Sequence, residues 1–198
     1  AGIVWIGTYG GGLNRFDPKT RTFTVFRHEP NNPSSLGYDY IRAILEDRFG
    51  TLWIGTFGGG LCRFDRKPDG SLKNCTTYRH STFDTTSISN NHVWKLSEDK
   101  EGNLWVGTDD GKLNRLDRKA LQQGIVRFTK FPLRQDRAIP VQTLYYDRSG
   151  ALWVGTWGAG LRLFDTTFGA LLPTAQHLLG DTVNIAVRNV VSICEDRR

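Results

Sequence analysis

The sequence predicts an all-β fold, a β-propeller of four-stranded antiparallel blades, from two observations. One phrase is written four times: "IVWIGTYGGGLNRFD" from Ile3, "TLWIGTFGGGLCRFD" from Thr51, "NLWVGTDDGKLNRLD" from Asn103 and "ALWVGTWGAGLRLFD" from Ala151. Its tryptophans, Trp5, Trp53, Trp105 and Trp153, stand 48, 52 and 48 residues apart. Strand-rich periods of roughly 40 to 50 residues are the mark of propeller blades.

Each repeat supplies its strands in a fixed order. The second begins with "IRAILED" (Ile41 to Asp47), turns at "RFGT", and continues through "LWIGT", the glycine turn "FGGG" and "LCRFD". A fourth strand follows another turn, as "FTVFRH" (Phe23 to His28) does in the first repeat. These segments are short, β-branched and aromatic, and Gly, Pro, Asn or Asp stands at every boundary. No helical period of useful length is present. Gly50, Gly102 and Gly150 each follow an aspartate (Asp47, Asp99, Asp147) by three residues. An Asp side chain capping backbone N–H groups, then a residue free to take positive φ, makes a tight hairpin turn. The "GGG" turns lie between two strands, which argues against a phosphate cradle, since that needs a helix N-terminus behind it.

The repeat units run 1–40, 41–92, 93–140 and 141–189, with 190–198 completing the first blade. The closing residues "NVVSICEDRR" (Asn189 to Arg198) repeat the first strand of a unit and stop inside its turn, just where the chain's opening residues resume it. Val190 to Glu195 is therefore expected to pair with "VWIGT" near the start, in the same chain or in a neighbouring copy, covering a sheet edge.

Of the 198 residues, 38% are hydrophobic, a globular composition that can bury a core. No stretch approaches the ~18 consecutive apolar residues of a membrane-spanning helix. The chain contains no methionine and opens inside the repeated phrase, without a signal peptide. It reads as an excerpt, either a small closed ring or part of a larger propeller, with any membrane attachment in parts absent from this chain. Net charge is +6, but Lys and Arg are scattered rather than gathered on one face, so no nucleic-acid partner is expected. No motif calls for a metal or another cofactor. Cys62 and Cys75 flank a hairpin turn near Pro68-Asp69-Gly70, and a cross-strand disulfide is open to them in an oxidising compartment.

The pattern ED–x–x–G–x–LW–[IV]–GT–x–GGGL–x–RFD, with "RHEPNNPSSL" leading into the next unit, resembles the two-component regulator propeller repeat across essentially the whole chain. That resemblance implies a periplasmic sensor region of a bacterial hybrid histidine kinase or diguanylate cyclase. It further implies a ligand-sensing propeller that often recognises carbohydrate, usually paired as a dimer. The third repeat departs from the pattern with Asp109-Asp110-Gly111-Lys112 in its turn, and the fourth with Leu163 in place of arginine.

Repetition separates scaffold from site, because one ligand rarely needs the same residue in every blade. The four tryptophans, Thr8, Thr56, Thr108 and Thr156, and Asp17, Asp65, Asp117 and Asp165 are thus read as structural. Arg15, Arg63 and Arg115 are expected to pair with neighbouring aspartates. The residue opening each glycine turn varies: Tyr9, Phe57, Asp109 and Trp157. Aromatic rings beside a carboxylate suit a sugar, whose apolar face stacks while its hydroxyls meet polar groups. Arg42, His92, Trp94, Asp110 and Arg137 do not repeat and could add selectivity. A competing reading has these aromatics only covering the turns. Two other functions stay open: a protein-interaction propeller without a small ligand, and a carbohydrate-active enzyme using Tyr145, Tyr146 and Glu98. No spacing supports the enzyme, and His28, His80 and His177 track the repeat.

Overall fold

Leu52–Thr56 and Leu104–Thr108 are buried along their whole length, because a strand with sheets packed on both faces needs apolar or small residues at every position. These are the second strands of their repeats. The computed structural model describes residues 2–69, 71–133, 138–172 and 189–196. It divides into two compact units, Ala1–Val93 and Trp94–Arg198.

In the first unit, β1 (Val4–Gly7), β2 (Leu13–Asp17) and β3 (Thr22–Phe26) form one antiparallel sheet. A second comprises β4 (Ile41–Glu46), β5 (Leu52–Thr56), β6 (Leu61–Arg66) and β7 (Leu72–Tyr78). Leu13, Leu36, Ile41, Leu52, Ile54 and Phe64 build the core between them. In the second unit the third sheet holds β8 (Val93–Glu98), β9 (Leu104–Thr108), β10 (Lys112–Leu116) and β11 (Phe128–Pro132). The fourth holds β12 (Val141–Tyr146), β13 (Leu152–Thr156), β14 (Leu161–Asp165) and β15 (Ala170–Leu171). Trp105, Leu113, Val141, Leu152, Val154 and Phe164 pack its core. Every sheet is an up-and-down meander, the blade pattern of a propeller.

Within each unit a glycine in the second strand of a sheet seats the residue that opens a following first strand. A Cβ on Gly55 would lie 2.6 Å from the side chain of Val93, the residue that opens β8. Gly7 stands in the same relation to Ile41, and Gly107 to Val141. Glycine is required here by close approach rather than by backbone conformation. Gly155 repeats the seat with Val190, whose N–H donates to Thr156 O at 3.1 Å, as Ile41 N–H donates to Thr8 O at 3.0 Å. Val190 thus takes the position of a first strand. Among the described residues, 189–196 forms no ladder and β1 has β2 as its only sheet neighbour.

The aspartate turns hold as the spacing predicts. Asp47 Oδ1 accepts the N–H groups of Phe49 and Thr51, Gly50 takes φ 79°, and Asp47 Oδ2 accepts the Trp53 indole N–H at 3.0 Å. Asp99 holds Trp105 at 2.8 Å and Asp147 holds Trp153 at 2.6 Å.

A five-residue helix, α1 (Arg118–Gln122), lies in the connection between β10 and β11, and Asp117 caps it by accepting Ala120 N–H at 2.9 Å. So short a helix leaves the all-β expectation in place. One expectation needs correction. Among the described residues Arg115 pairs with no aspartate, whereas Arg15 pairs with Asp17 and Arg63 with Asp65. Its guanidinium instead lies over the rings of Trp105 and Phe131, 5.9 and 5.8 Å from their centroids. Arg63 makes the same ring contact with Trp53 and still reaches Asp65; in the third repeat the corresponding Asp117 is turned to the cap of α1 instead.

Candidate functional site

The glycine turns are held by backbone and by the repeated threonines. Thr56 Oγ1 donates to Gly60 O at 2.8 Å, and Thr8 Oγ1 donates to Gly12 O at the same distance. The N–H groups of Gly58 and Gly60 both donate to Asn91 O, and those of Gly10 and Gly12 to Asp39 O. Turn and sheet-to-sheet connection are therefore clamped side by side, as the strand order predicts. Bridges between Tyr9 and Tyr40 and between Phe57 and His92 lie at the same junctions. No side chain at the turn opening takes part in these bonds.

In the first unit four of the expected site residues meet. Tyr9 stacks on Tyr40 with ring centroids 4.2 Å apart, and Phe57 stacks on His92 at 4.2 Å with planes 8° apart. The Arg42 guanidinium lies 5.5 Å from the Tyr9 centroid and 5.2 Å from that of Phe57. The order is Tyr40, Tyr9, Arg42, Phe57, His92, with Tyr38 edge-on to Tyr40. Arg42 is placed by a break in register: the pairing of β4 with β5 shifts between Ile41 and Ala43, and an extra residue at such a bulge is re-aimed. Tyr9 is 70% exposed, so the column is open to solvent.

The second unit fills the same positions differently. Trp94 stands 15 residues before Asp109, as Arg42 stands before Phe57, and its indole N–H donates to Asp109 Oδ1 at 2.8 Å. Asp110 accepts from Thr108 Oγ1 at 2.7 Å and pairs with Lys112 at 2.9 Å, so the Asp-Asp-Gly-Lys departure carries its own counter-charge. Trp157 is 56% exposed at its turn, its N–H donating to Pro140 O. Arg137 lies outside the described residues.

Gln142 is the residue sequence reasoning missed. It sits at the β12 register shift between Val141 and Thr143, the position of Arg42, 15 residues before Trp157. Its Nε2 is buried with no hydrogen-bond partner among the described residues. Aligning the second residue of each first strand would have found it.

Among the side chains weighed for catalysis, the Tyr146 hydroxyl is buried without a hydrogen-bond partner among the described residues. Tyr145 OH donates to Glu195 at 3.2 Å. His28 and His80 each set Nδ1 against a backbone carbonyl eight residues on, Leu36 O and Ile88 O, in matching connections. His177 lies outside the described residues.

The profile of the two component regulator propeller matches residues 35–58, 87–110 and 137–158. No curated protein matches the chain. Among solved structures it resembles the extracellular domain of a hybrid two component system from B. thetaiotaomicron, at 24% identity and a TM-score of 0.65, over 86% of this chain and 21% of that one. It resembles PorZ, a surface component of the type-IX secretion system of Porphyromonas gingivalis, at 17% identity and a TM-score of 0.67, over 96% and 28%. It also resembles virginiamycin B lyase from Staphylococcus aureus, at 15% identity and a TM-score of 0.59, over 86% and 51%. The chain therefore spans from about a fifth to half of these structures. At these identities the likeness establishes the fold.

Proposed function

We propose that this chain, a two-component regulator propeller, is the periplasmic ligand-sensing module of a bacterial signalling receptor and that its ligand is a carbohydrate. The observation that carries the ligand reading is Arg42, held between Tyr9 and Phe57 at a bulge of β4. Exposed rings give a sugar's apolar face a surface to stack on, and the guanidinium offers donors to its hydroxyls. In the other unit the exposed Trp157 supplies a ring of the same kind. The extracellular placement of the hybrid two component system domain supports a periplasmic position here.

We read the module as binding rather than catalytic. The carboxylates of Asp47, Asp99 and Asp147 are each occupied by turn amides and an indole N–H, which suits a scaffold rather than proton transfer. The family resemblance further supports pairing as a dimer, measurable by sedimentation.

Calorimetric titration of an oligosaccharide panel tests the ligand. Arg42→Ala, Phe57→Ala and Trp157→Ala should each weaken binding of a responding glycan about tenfold or more, ~1.4 kcal/mol. Binding unchanged in all three variants would move the site off these turns. A panel with no responding glycan would leave the protein-interaction reading in its place.

A further inference from the structure

Two thiols of the first unit stand apart from the candidate ligand site. Cys62 on β6 and Cys75 on β7 are both free and buried, at 0% and 4% exposure. In the register Cys62 faces Thr77 and Phe64 faces Cys75. The two cysteines are therefore diagonal neighbours on one face of the sheet.

A cysteine buried only as a small hydrophobe needs no donors around its sulfur. Cys62 has several. Gly37 N–H donates to its sulfur at 3.1 Å. The Thr77 hydroxyl lies 3.5 Å from Cys62 Sγ and 3.4 Å from Cys75 Sγ. A hydroxyl has one proton, so it can donate to one sulfur and accept from the other. With the Gly37 N–H and the Thr77 hydroxyl both at Cys62, donors converge on one sulfur, the arrangement that stabilises a thiolate. Interaction with the neighbouring Cys75, against the opposing effect of burial and with help from Thr77, the Gly37 N–H and the charge of Arg79, brings the Cys62 thiol down to about 7. The same interaction with Cys62, together with burial, pushes Cys75 up.

We propose that Cys62 and Cys75 form a redox pair that closes to a cross-strand disulfide, with Cys62 as the attacking thiolate and Cys75 as the resolving thiol. Burial restricts the oxidant to a small one, a peroxide. The Cys62 thiolate attacks a peroxide oxygen, the O–O bond breaks and hydroxide leaves, giving a sulfenic acid. Cys75 sulfur then attacks Cys62 sulfur; the S–S bond forms, the S–O bond breaks, and water leaves with the Cys75 proton. Two thiols lose two electrons to one peroxide, which ends as two waters.

Diagonal strand neighbours sit ~7 Å apart, at the upper edge of disulfide reach. Closure therefore needs a small slide of one strand. β7 can supply it: it is the outermost strand of its sheet, and its pairing with β6 already shifts between Phe64 and Arg66, beside Cys75.

The test uses the whole chain carrying Cys194→Ser, which removes the exposed third thiol. The protein is reduced, desalted, treated with hydrogen peroxide, then denatured, alkylated and mapped by mass spectrometry without reductant. The expected product is a peptide pair joined through Cys62 and Cys75, lighter by two hydrogens and separated by dithiothreitol. Loss of free thiol should slow as pH falls below about 7. Cys75→Ser should halt at a sulfenic acid on Cys62 that dimedone traps. Full alkylation of both cysteines after peroxide overturns the proposal without recourse to any further variant. Preferential oxidation of Cys75 overturns the assigned order of attack.

Discussion

Trp53 and Asp47 lock a turn and a core to each other: the indole N–H reaches one carboxylate oxygen at 3.0 Å, while the other oxygen holds two turn amides. Trp5 occupies the same place in the first repeat, yet its indole N–H is buried without a partner among the described residues. The two tryptophans should differ in worth. Truncating a buried tryptophan to alanine costs ~3–5 kcal/mol, and Trp53→Ala should lie in that range by denaturant unfolding. Trp5→Ala should cost distinctly less. Equal losses would mean that the aspartate adds nothing to the tryptophan's burial.

Removing the aspartate instead leaves an indole and two amides without an acceptor. Asp47→Ala should cost ~1–3 kcal/mol, and Asp47→Asn less, because its amide oxygen still accepts. Unfolding midpoints of the two variants measure the difference. An asparagine variant as unstable as the alanine one would show that charge, not acceptance, holds the turn.

The strand glycines give a steric prediction. Gly107→Ala drives a methyl group into Val141, and overpacking of this kind costs ~1–3 kcal/mol. Val141→Ala alone should destabilise by opening a cavity. The double variant should be more stable than the sum of the two losses predicts, since each change relieves the other. Simple additivity in a double-mutant cycle would remove the seat as an explanation of the glycine.

The fourth repeat carries a pH signature. Burial alone would raise the Asp147 carboxyl, but the hydrogen bonds of Ser149 Oγ, the Trp153 indole and the turn amides outweigh it and hold it below its ordinary value. The folded form therefore gains stability above the ordinary carboxylate pKa of ~4. That gain is lost as pH falls through the lower, folded value. Melting temperature followed from neutral to acid pH should drop less steeply for Asp147→Asn than for the native chain. Parallel curves would contradict the assignment.

Arg42 tests the column itself. Lysine keeps the charge but lacks the flat guanidinium that lies against two rings. Arg42→Lys should lose most of its coupling to Phe57, ~0.5–1 kcal/mol for an exposed cation–ring contact. A stability cycle with Phe57→Leu reads that coupling, and a value of zero for the native arginine would show a contact without energetic content.

The repeated phrase made the strands, the aspartate turns and the threonine clamps legible, because each is local and occurs several times. What escaped depended on neighbours distant in sequence. Nothing in "LWIGT" says that its glycine is a seat for a side chain some 38 residues on, and nothing in "NRLD" says that Arg115 will prefer rings to a carboxylate. Of the site, Tyr9, Phe57, Arg42 and His92 were found by asking what does not repeat. Gln142 was missed since glutamine looks unremarkable until a bulge turns it inward. Val190 reaches its first-strand seat against Gly155.

The bonds that close each glycine turn run from threonine hydroxyls and backbone groups, and none belongs to the residue that opens the turn. Tyrosine, phenylalanine, aspartate and tryptophan can all stand there on the same frame. Shape and surface chemistry are thereby separated at Tyr9, Phe57 and Trp157, where the side chain can change without breaking a bond that closes its turn, whereas Asp109 also holds the Trp94 indole N–H. A blade built this way can vary its exposed chemistry by drift at a few positions while its architecture stays fixed.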